Sequence, residues 1–180
     1  EKKELLSLYN AINGTAYEDP EELIVTTIED VLYMGRKNDI SFLIKDVMNL
    51  YEHQSSVNPN MPLRGLIYIS MLYQGYIEQN NLDIYSSTLL KLPTPKYLVF
   101  YNGTKAEPDR QELRLSDSFI KREEQPDLEC RAVVLNINYG HNKKLMEACR
   151  KLYEYSRFVE TIRGYLNTGM KLGAAMDQAI

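Results

Sequence analysis

The sequence predicts an α/β fold: a mixed β-sheet with helical cover, its core elements running in the order α-β-β-β-α-β. Three observations carry this. Apolar residues recur at helical spacing over the first dozen positions, and three short strand-like runs joined by tight turns follow between residues 23 and 56. A helix apolar almost all round then precedes the next strand-like run. A buried helix between a meander and further strands calls for a sheet with both antiparallel and parallel neighbours.

Each element has its own signal. In residues 2–13, Leu5, Leu6, Leu8, Tyr9 and Ile12 share a helical face, and Asn13-Gly14 is a C-terminal stop. Tyr17-Glu18-Asp19-Pro20 is a polar turn. Ile24, Val25, Thr26, Thr27 and Ile28 are mostly β-branched, Val31-Leu32-Tyr33-Met34 continues the apolar run, and Gly35-Arg36-Lys37-Asn38 reads as a turn. Residues 39–44 and 48–54 read as two strands turning at Lys45-Asp46, completing an antiparallel meander. Asn58-Pro59-Asn60 breaks the pattern, and Pro62 suits the first turn of a helix over 63–79 that should be buried on several sides and stop at Asn80-Asn81. Strands are predicted over 96–101 and 130–139. Between them, 104–126 reads as irregular, with a short helix near 116–119. A long amphipathic helix spans 143–166, and a last helical piece runs over 170–180. The expected organisation is one domain over 1–166 with a C-terminal helical extension over 167–180.

Bulk properties fit a soluble globular chain: 180 residues, 44% hydrophobic, 26% charged, with no apolar stretch long enough to span a bilayer and no signal peptide. A cytoplasmic protein with no membrane partner is expected. Its opening on Glu1 suggests a piece of a longer protein. Cys130 and Cys149 are too few and too far apart for a disulfide framework and read as reduced thiols. The net charge of −4 counts mildly against a dedicated nucleic-acid binder, though a local basic face can act against an acidic background. Fourteen Tyr with no Trp are read as half-buried faces with polar tips.

One cluster of side chains could carry chemistry. Glu52 and Gln54 stand two apart on a strand, so they share a face with Cα atoms ~6.5–7 Å apart, while His53 faces away. Acidic residues are disfavoured in mid-strand. Asp39 opens the preceding strand at the end far from the Lys45-Asp46 turn, which is also the end that carries Glu52 and Gln54. Two carboxylates and an amide or carbonyl at one sheet edge suit Mg²⁺, or Mn²⁺, as hard oxygen ligands. A bound cation there could polarise a phosphate and activate a water. The plain alternative is a turn-capping Asp39 and an exposed edge Glu52.

Three stretches carry a family likeness: Asn38-Asp39-Ile40-Ser41-Phe42-Leu43-Ile44, Tyr51-Glu52-His53-Gln54-Ser55, and Asn58-Pro59-Asn60-Met61-Pro62-Leu63-Arg64. Phe100-Tyr101-Asn102-Gly103, Leu115-Ser116-Asp117-Ser118-Phe119 and Asn136-Ile137-Asn138-Tyr139-Gly140-His141-Asn142 add to it. Together, over about residues 2–157, the chain resembles the bacterial recombination-promoting nuclease/transposase family of the PD-(D/E)XK superfamily. The resemblance implies a restriction-endonuclease-like core and a Mg²⁺-dependent DNA endonuclease linked to a mobile element or to recombination. Asp39 then matches the superfamily's metal-binding Asp, and Glu52 the acidic residue of the (D/E)XK motif. Gln54 stands where the superfamily usually has Lys, a change this family tends to share. Lys would place a positive charge near the attacking water, whereas Gln offers only neutral hydrogen bonds. The first helix of the superfamily often adds a Glu, for which Glu4 is the candidate.

Other residues have simpler readings. Arg64, near the start of the central helix, could touch a DNA phosphate or pair with a carboxylate. His141 lies in a turn and is assigned a turn hydrogen bond. Lys143, Lys144, Arg150, Lys151, Arg157 and Arg163 alternate with Glu147, Glu154 and Glu160 on the late helix, the usual pattern of a solvated face, with contact to a DNA backbone as the minority reading. No zinc-ligand spacing or Gly-rich phosphate loop is present. Two function classes are carried forward: a metal-dependent DNA endonuclease that acts on DNA, as a monomer or a homodimer, and a degenerate nuclease fold that binds DNA or protein without cutting. A purely structural assembly protein has no positive feature in its favour.

Overall fold

Residues 1–26 and 39–179 are described in the computed structural model of the chain. They form a six-stranded open sheet of β1 (Leu23–Val25), β2 (Ile40–Ile44), β3 (Val47–Gln54), β4 (Thr94–Tyr101), β5 (Arg110–Arg114) and β6 (Arg131–Asn136), ordered β1-β2-β3-β4-β6-β5. β1, β2 and β3 are an antiparallel meander, β3–β4 and β4–β6 are parallel, and β5 pairs antiparallel with β6 at the far edge. The mixed sheet and the meander agree with the sequence expectation. The residues 27–38 assigned to a strand continuation and a turn lie outside the described residues.

The helices are α1 (Lys2–Asn13), α2 (Met61–Gln79), α3 (Lys143–Ala148), α4 (Arg150–Asn167) and α5 (Leu172–Ala179). α1 stops where the sequence places its stop: Gly14 takes φ 65°, a left-handed conformation without cost for glycine, and its amide bonds back to Asn10. α2 is the crossover that lets β4 run parallel to β3. It buries one stripe, Met61, Pro62, Gly65, Tyr68 and Leu72, and leaves Leu63 47% exposed. The expectation of burial on several sides was therefore too strong, because only one face of α2 meets the sheet.

The pleat divides the core in two. Phe42, Ile44, Tyr51, Phe100 and Leu135 point to the side covered by α1 and α3. Met48, Leu50, Tyr97, Val99 and Val134 point to the α2 side. Glu52 and Gln54 continue the stripe begun by Met48 and Leu50, so backbone alternation alone sends them toward α2 and His53 the other way.

Three sequence expectations need correction. The segment 104–126 contains β5, a charged edge strand whose Gln111 and Leu113 turn inward between outward Arg110, Glu112 and Arg114. β6 ends at Asn136 instead of 139. The long late helix is broken at Cys149, which adopts an extended conformation at φ −126° and ψ 91°. No Pro or Gly marks that break, and nothing in the structure explains it. α5 packs on α4 through the fully buried Ala175. Cys130 and Cys149 are buried free thiols. Among the described residues no helix is long and apolar enough to cross a membrane.

Candidate active site

The β2–β3 hairpin positions the two carboxylates. Its register pairs Ile40 with Tyr51 and Ile44 with Val47, so Asp39, one residue before β2, falls beside Glu52. The two are linked reciprocally. The Asp39 amide donates to Glu52 Oε1 at 3.2 Å, and the His53 amide donates to Asp39 Oδ2 at 2.5 Å. Two acidic residues thus sit at the open end of the hairpin on the α2 side. Asp39 is exposed, while Glu52 is only 1% exposed. That rules out the alternative of Glu52 as an exposed edge residue.

Burying Glu52 demands compensation. Arg64, in the first turn of α2, supplies it by donating from Nη2 to Glu52 Oε2 at 2.7 Å. Arg64 itself rests on Met61 Sδ and over the Tyr68 ring. Of the two roles open to Arg64 in the sequence, this geometry shows the carboxylate partner. The Glu52 carboxyl titrates above its ordinary range. Burial drives it up, Arg64 and the Asp39 amide draw it back, and the Asp39 charge adds a small push upward. The Arg64 pKa is raised as well: partial burial acts to lower it, but Tyr68 and Glu52 outweigh that and favour its charged form. Arg64 stays charged throughout, so desolvation of Glu52 decides the behaviour of the pair.

Gln54 is half-buried on the same face, facing Tyr101 across the parallel ladder, and its carbonyl accepts the Asn102 amide at 3.1 Å. Its side-chain amide makes no hydrogen bond among the described residues and lines a small crevice with Ser56, Met61 and Tyr101. The structure therefore brings Asp39, Glu52, Gln54 and Arg64 to one end of one sheet face. It does not bring Glu4 there: its partner is the chain's amino terminus at 2.8 Å. His141 makes the expected turn hydrogen bond through its backbone, its amide donating to the Asn138 carbonyl at 3.1 Å, while its ring pairs outside the turn, Nδ1 lying 2.6 Å from Asp109 Oδ1.

The donor set suits a hard divalent cation. Among the described residues no three His, Cys, Asp or Glu side chains gather as a metal-binding group. Mg²⁺, however, needs only one or two carboxylates, completing its shell with water and substrate phosphate. Asp39 Oδ1 accepts no hydrogen bond among the described residues. Glu52 Oε2 becomes a ligand only if Arg64 yields it.

On the other face of the same strand end lies a polar set that sequence reasoning missed. Asn102 donates from Nδ2 to the Tyr155 hydroxyl at 2.7 Å, and that hydroxyl lies 3.3 Å from His53 Nε2. Arg163 donates to Asn138 Oδ1 at 2.6 Å and to the Asn102 carbonyl. Asn138 in turn bonds Asn136 Oδ1 and the Gly103 carbonyl. The available signal was the amide residues in Phe-Tyr-Asn-Gly and Asn-Ile-Asn-Tyr-Gly, each just past or at the end of an apolar strand. The sequence pattern alone groups Arg163 with the solvated cations of the late helix.

No protein-family model, no curated protein and no solved structure matches the chain.

Proposed function

We propose that the chain is a metal-dependent DNA endonuclease of PD-(D/E)XK type, hydrolysing phosphodiester bonds in the service of recombination or a mobile element. The observation that carries this reading is the Asp39–Glu52 pair, two carboxylates joined by reciprocal backbone contacts at the end of a meander. The order α1-β1-β2-β3-α2-β4, with β4 parallel to β3, supports it as the core that the sequence resemblance implies.

Asp39 and Glu52 would hold Mg²⁺ or Mn²⁺, which when bound polarises the phosphate and lowers the pKa of a water. The chain's own residues then have separate tasks. Asp39, exposed at the strand end, presents a free carboxylate oxygen to solvent and substrate. Glu52 supplies a second carboxylate, held in place by Arg64 and the Asp39 amide. The free Gln54 amide, two residues along the same face, can orient a water through neutral hydrogen bonds. Arg64 neutralises Glu52 and, once released from it, can reach a phosphate.

Nicking of supercoiled plasmid in Mg²⁺ or Mn²⁺ tests the reading. Loss of several kcal/mol of charge stabilisation predicts a fall of about 100-fold or more in both Asp39→Ala and Glu52→Ala. Equal nicking by parent and variants would place the activity elsewhere. A second reading, a nuclease fold that binds DNA or protein without cutting, draws on the same site. Arg64 holds the Glu52 oxygen a metal would take, and Gln54 lacks the charge of Lys. Absence of nicking in every protein, with no Mg²⁺ or Mn²⁺ uptake in calorimetric titration, would favour it.

A further inference from the structure

We infer that Arg163, with Tyr155 and His53, forms an anion subsite for a backbone phosphate of the bound nucleic acid, on the sheet face opposite Glu52. This rests on the nucleic-acid half of the proposed function, not on its chemistry.

The location is the first reason. His53 lies near the end of β3, Asn102 follows β4, and Asn136 and Asn138 lie at and beyond the end of β6. These are the carboxyl ends of three mutually parallel strands, where open α/β sheets bind their ligands. The second reason is charge. Arg163 is half-buried and has no carboxylate partner among the described residues. Its acceptors are two neutral oxygens, Asn138 Oδ1 and the Asn102 carbonyl. A guanidinium has five N–H donors, so three remain for an anion while those two contacts aim the fork. The third reason is that this arrangement is a poor structural device. Asn102 is 7% exposed, and among the described residues its Oδ1 has no hydrogen-bond partner and the cluster's cation no carboxylate. A cluster shaped for stability alone would satisfy both.

The subsite is tied to the carboxylate pair through His53. Its amide donates to Asp39, and its ring faces Tyr155. From β2, which Asp39 immediately precedes, to β6 is three strand spacings, about 14 Å. That is the axial rise of roughly four nucleotides along one strand. A strand crossing the end of the sheet could therefore lay one phosphate at Asp39 and another at Arg163. The Tyr155 hydroxyl, on a 39% exposed side chain, can turn from His53 to the phosphate.

The test is fluorescence-anisotropy binding of a labelled 20-base-pair duplex (about two helical turns) over a salt series, in an Asp39→Asn background that prevents cutting. Adding Arg163→Met should weaken binding about 5- to 20-fold and reduce the slope of log K against log salt by about 1. Arg163→Lys should keep the slope. If Arg163→Met does not fold, Tyr155→Phe reads the same subsite, with a two- to three-fold loss and an unchanged slope. Affinity and slope unchanged in folded Arg163→Met, or affinity unchanged in Tyr155→Phe, would overturn the subsite while leaving the nuclease reading intact. No binding by the Asp39→Asn protein would overturn both. Binding without cutting by the parent, with the Arg163 effects present, would sustain the subsite and remove only the endonuclease.

Discussion

The two faces at the end of β3 solve the problem of buried polarity in opposite ways. Toward α2, a carboxylate with 1% exposure is held by one arginine and one backbone amide. Toward α4, an arginine is held by amide and carbonyl oxygens with no carboxylate partner among the described residues. The first face has negative charge to offer a cation, and the second has positive charge to offer an anion. One backbone stretch, Glu52-His53-Gln54, serves both because successive side chains alternate across the sheet. The contrast teaches that net charge is a poor guide here. A chain of net charge −4 still places a cation with no carboxylate partner among the described residues about three strand spacings from the strand that Asp39 opens.

The largest effect should come from a change that breaks both faces at once. Gly103 leaves β4 beside them, and a Cβ there would lie 2.3 Å from the Ser55 carbonyl oxygen and 2.4 Å from the Tyr101 hydroxyl. The first neighbour is backbone and cannot step aside. Gly103→Ala should therefore cost about 3 kcal/mol in urea unfolding, at the upper end for overpacking, and weaken DNA binding and nicking together. A cost below about 1 kcal/mol would mean that the two faces are not locked to a common strand end.

The next prediction sets one face against the other. Arg64→Ala leaves Glu52 buried without its cation, which costs ~3–5 kcal/mol for a fully buried pair. Arg64 is 31% exposed, so water softens this to about 2–3 kcal/mol. Arg163→Ala strands no charge and should cost only about 1 kcal/mol. Acid should narrow the difference. As pH falls and Glu52 becomes protonated, the penalty of Arg64→Ala should shrink and that of Arg163→Ala should stay level. Parallel unfolding curves at pH 4.5 and pH 7 (a raised carboxyl ionises above the range of ordinary ones, which lies near or below the lower pH) decide the matter, and equal pH responses would dissolve the distinction between the faces.

How much of this could be read in advance follows from the same physics. The hairpin, the crossover helix and the clustering of Asp39, Glu52 and Gln54 were legible because alternation and turn residues are local signals. The pairing of Arg64 with Glu52 remained one of two options, since helix and strand meet only through the tertiary fold. β5 was obscured because Arg110, Glu112 and Arg114 face water on an edge strand, where charge is the normal protection against aggregation. The Arg163 cluster was invisible for another reason. Its members come from β3, the ends of β4 and β6, and α4, with up to 110 residues between His53 and Arg163, and each alone reads as an ordinary polar residue.

The smallest effect concerns Glu52 alone and has a definite sign. Its carboxyl is raised above the ordinary range because burial outweighs Arg64. Between its unfolded and folded pKa values the folded chain therefore holds more protons, so stability is lost as pH rises through that window. Glu52→Gln removes the titration and keeps one acceptor oxygen, which serves Arg64 or the Asp39 amide but not both as Oε1 and Oε2 do now. The variant should match its parent in acid, lack the parent's decline as pH rises, and be neutral to about 1 kcal/mol more stable at pH 7. The same change removes a metal-ligand charge, so stability and nicking should move apart. A variant that loses stability at pH 7, by an amount growing with pH, would show that the Arg64 pair outweighs desolvation. Glu52 would then be a structural anchor at this sheet end, and the case for its holding a metal would weaken with it.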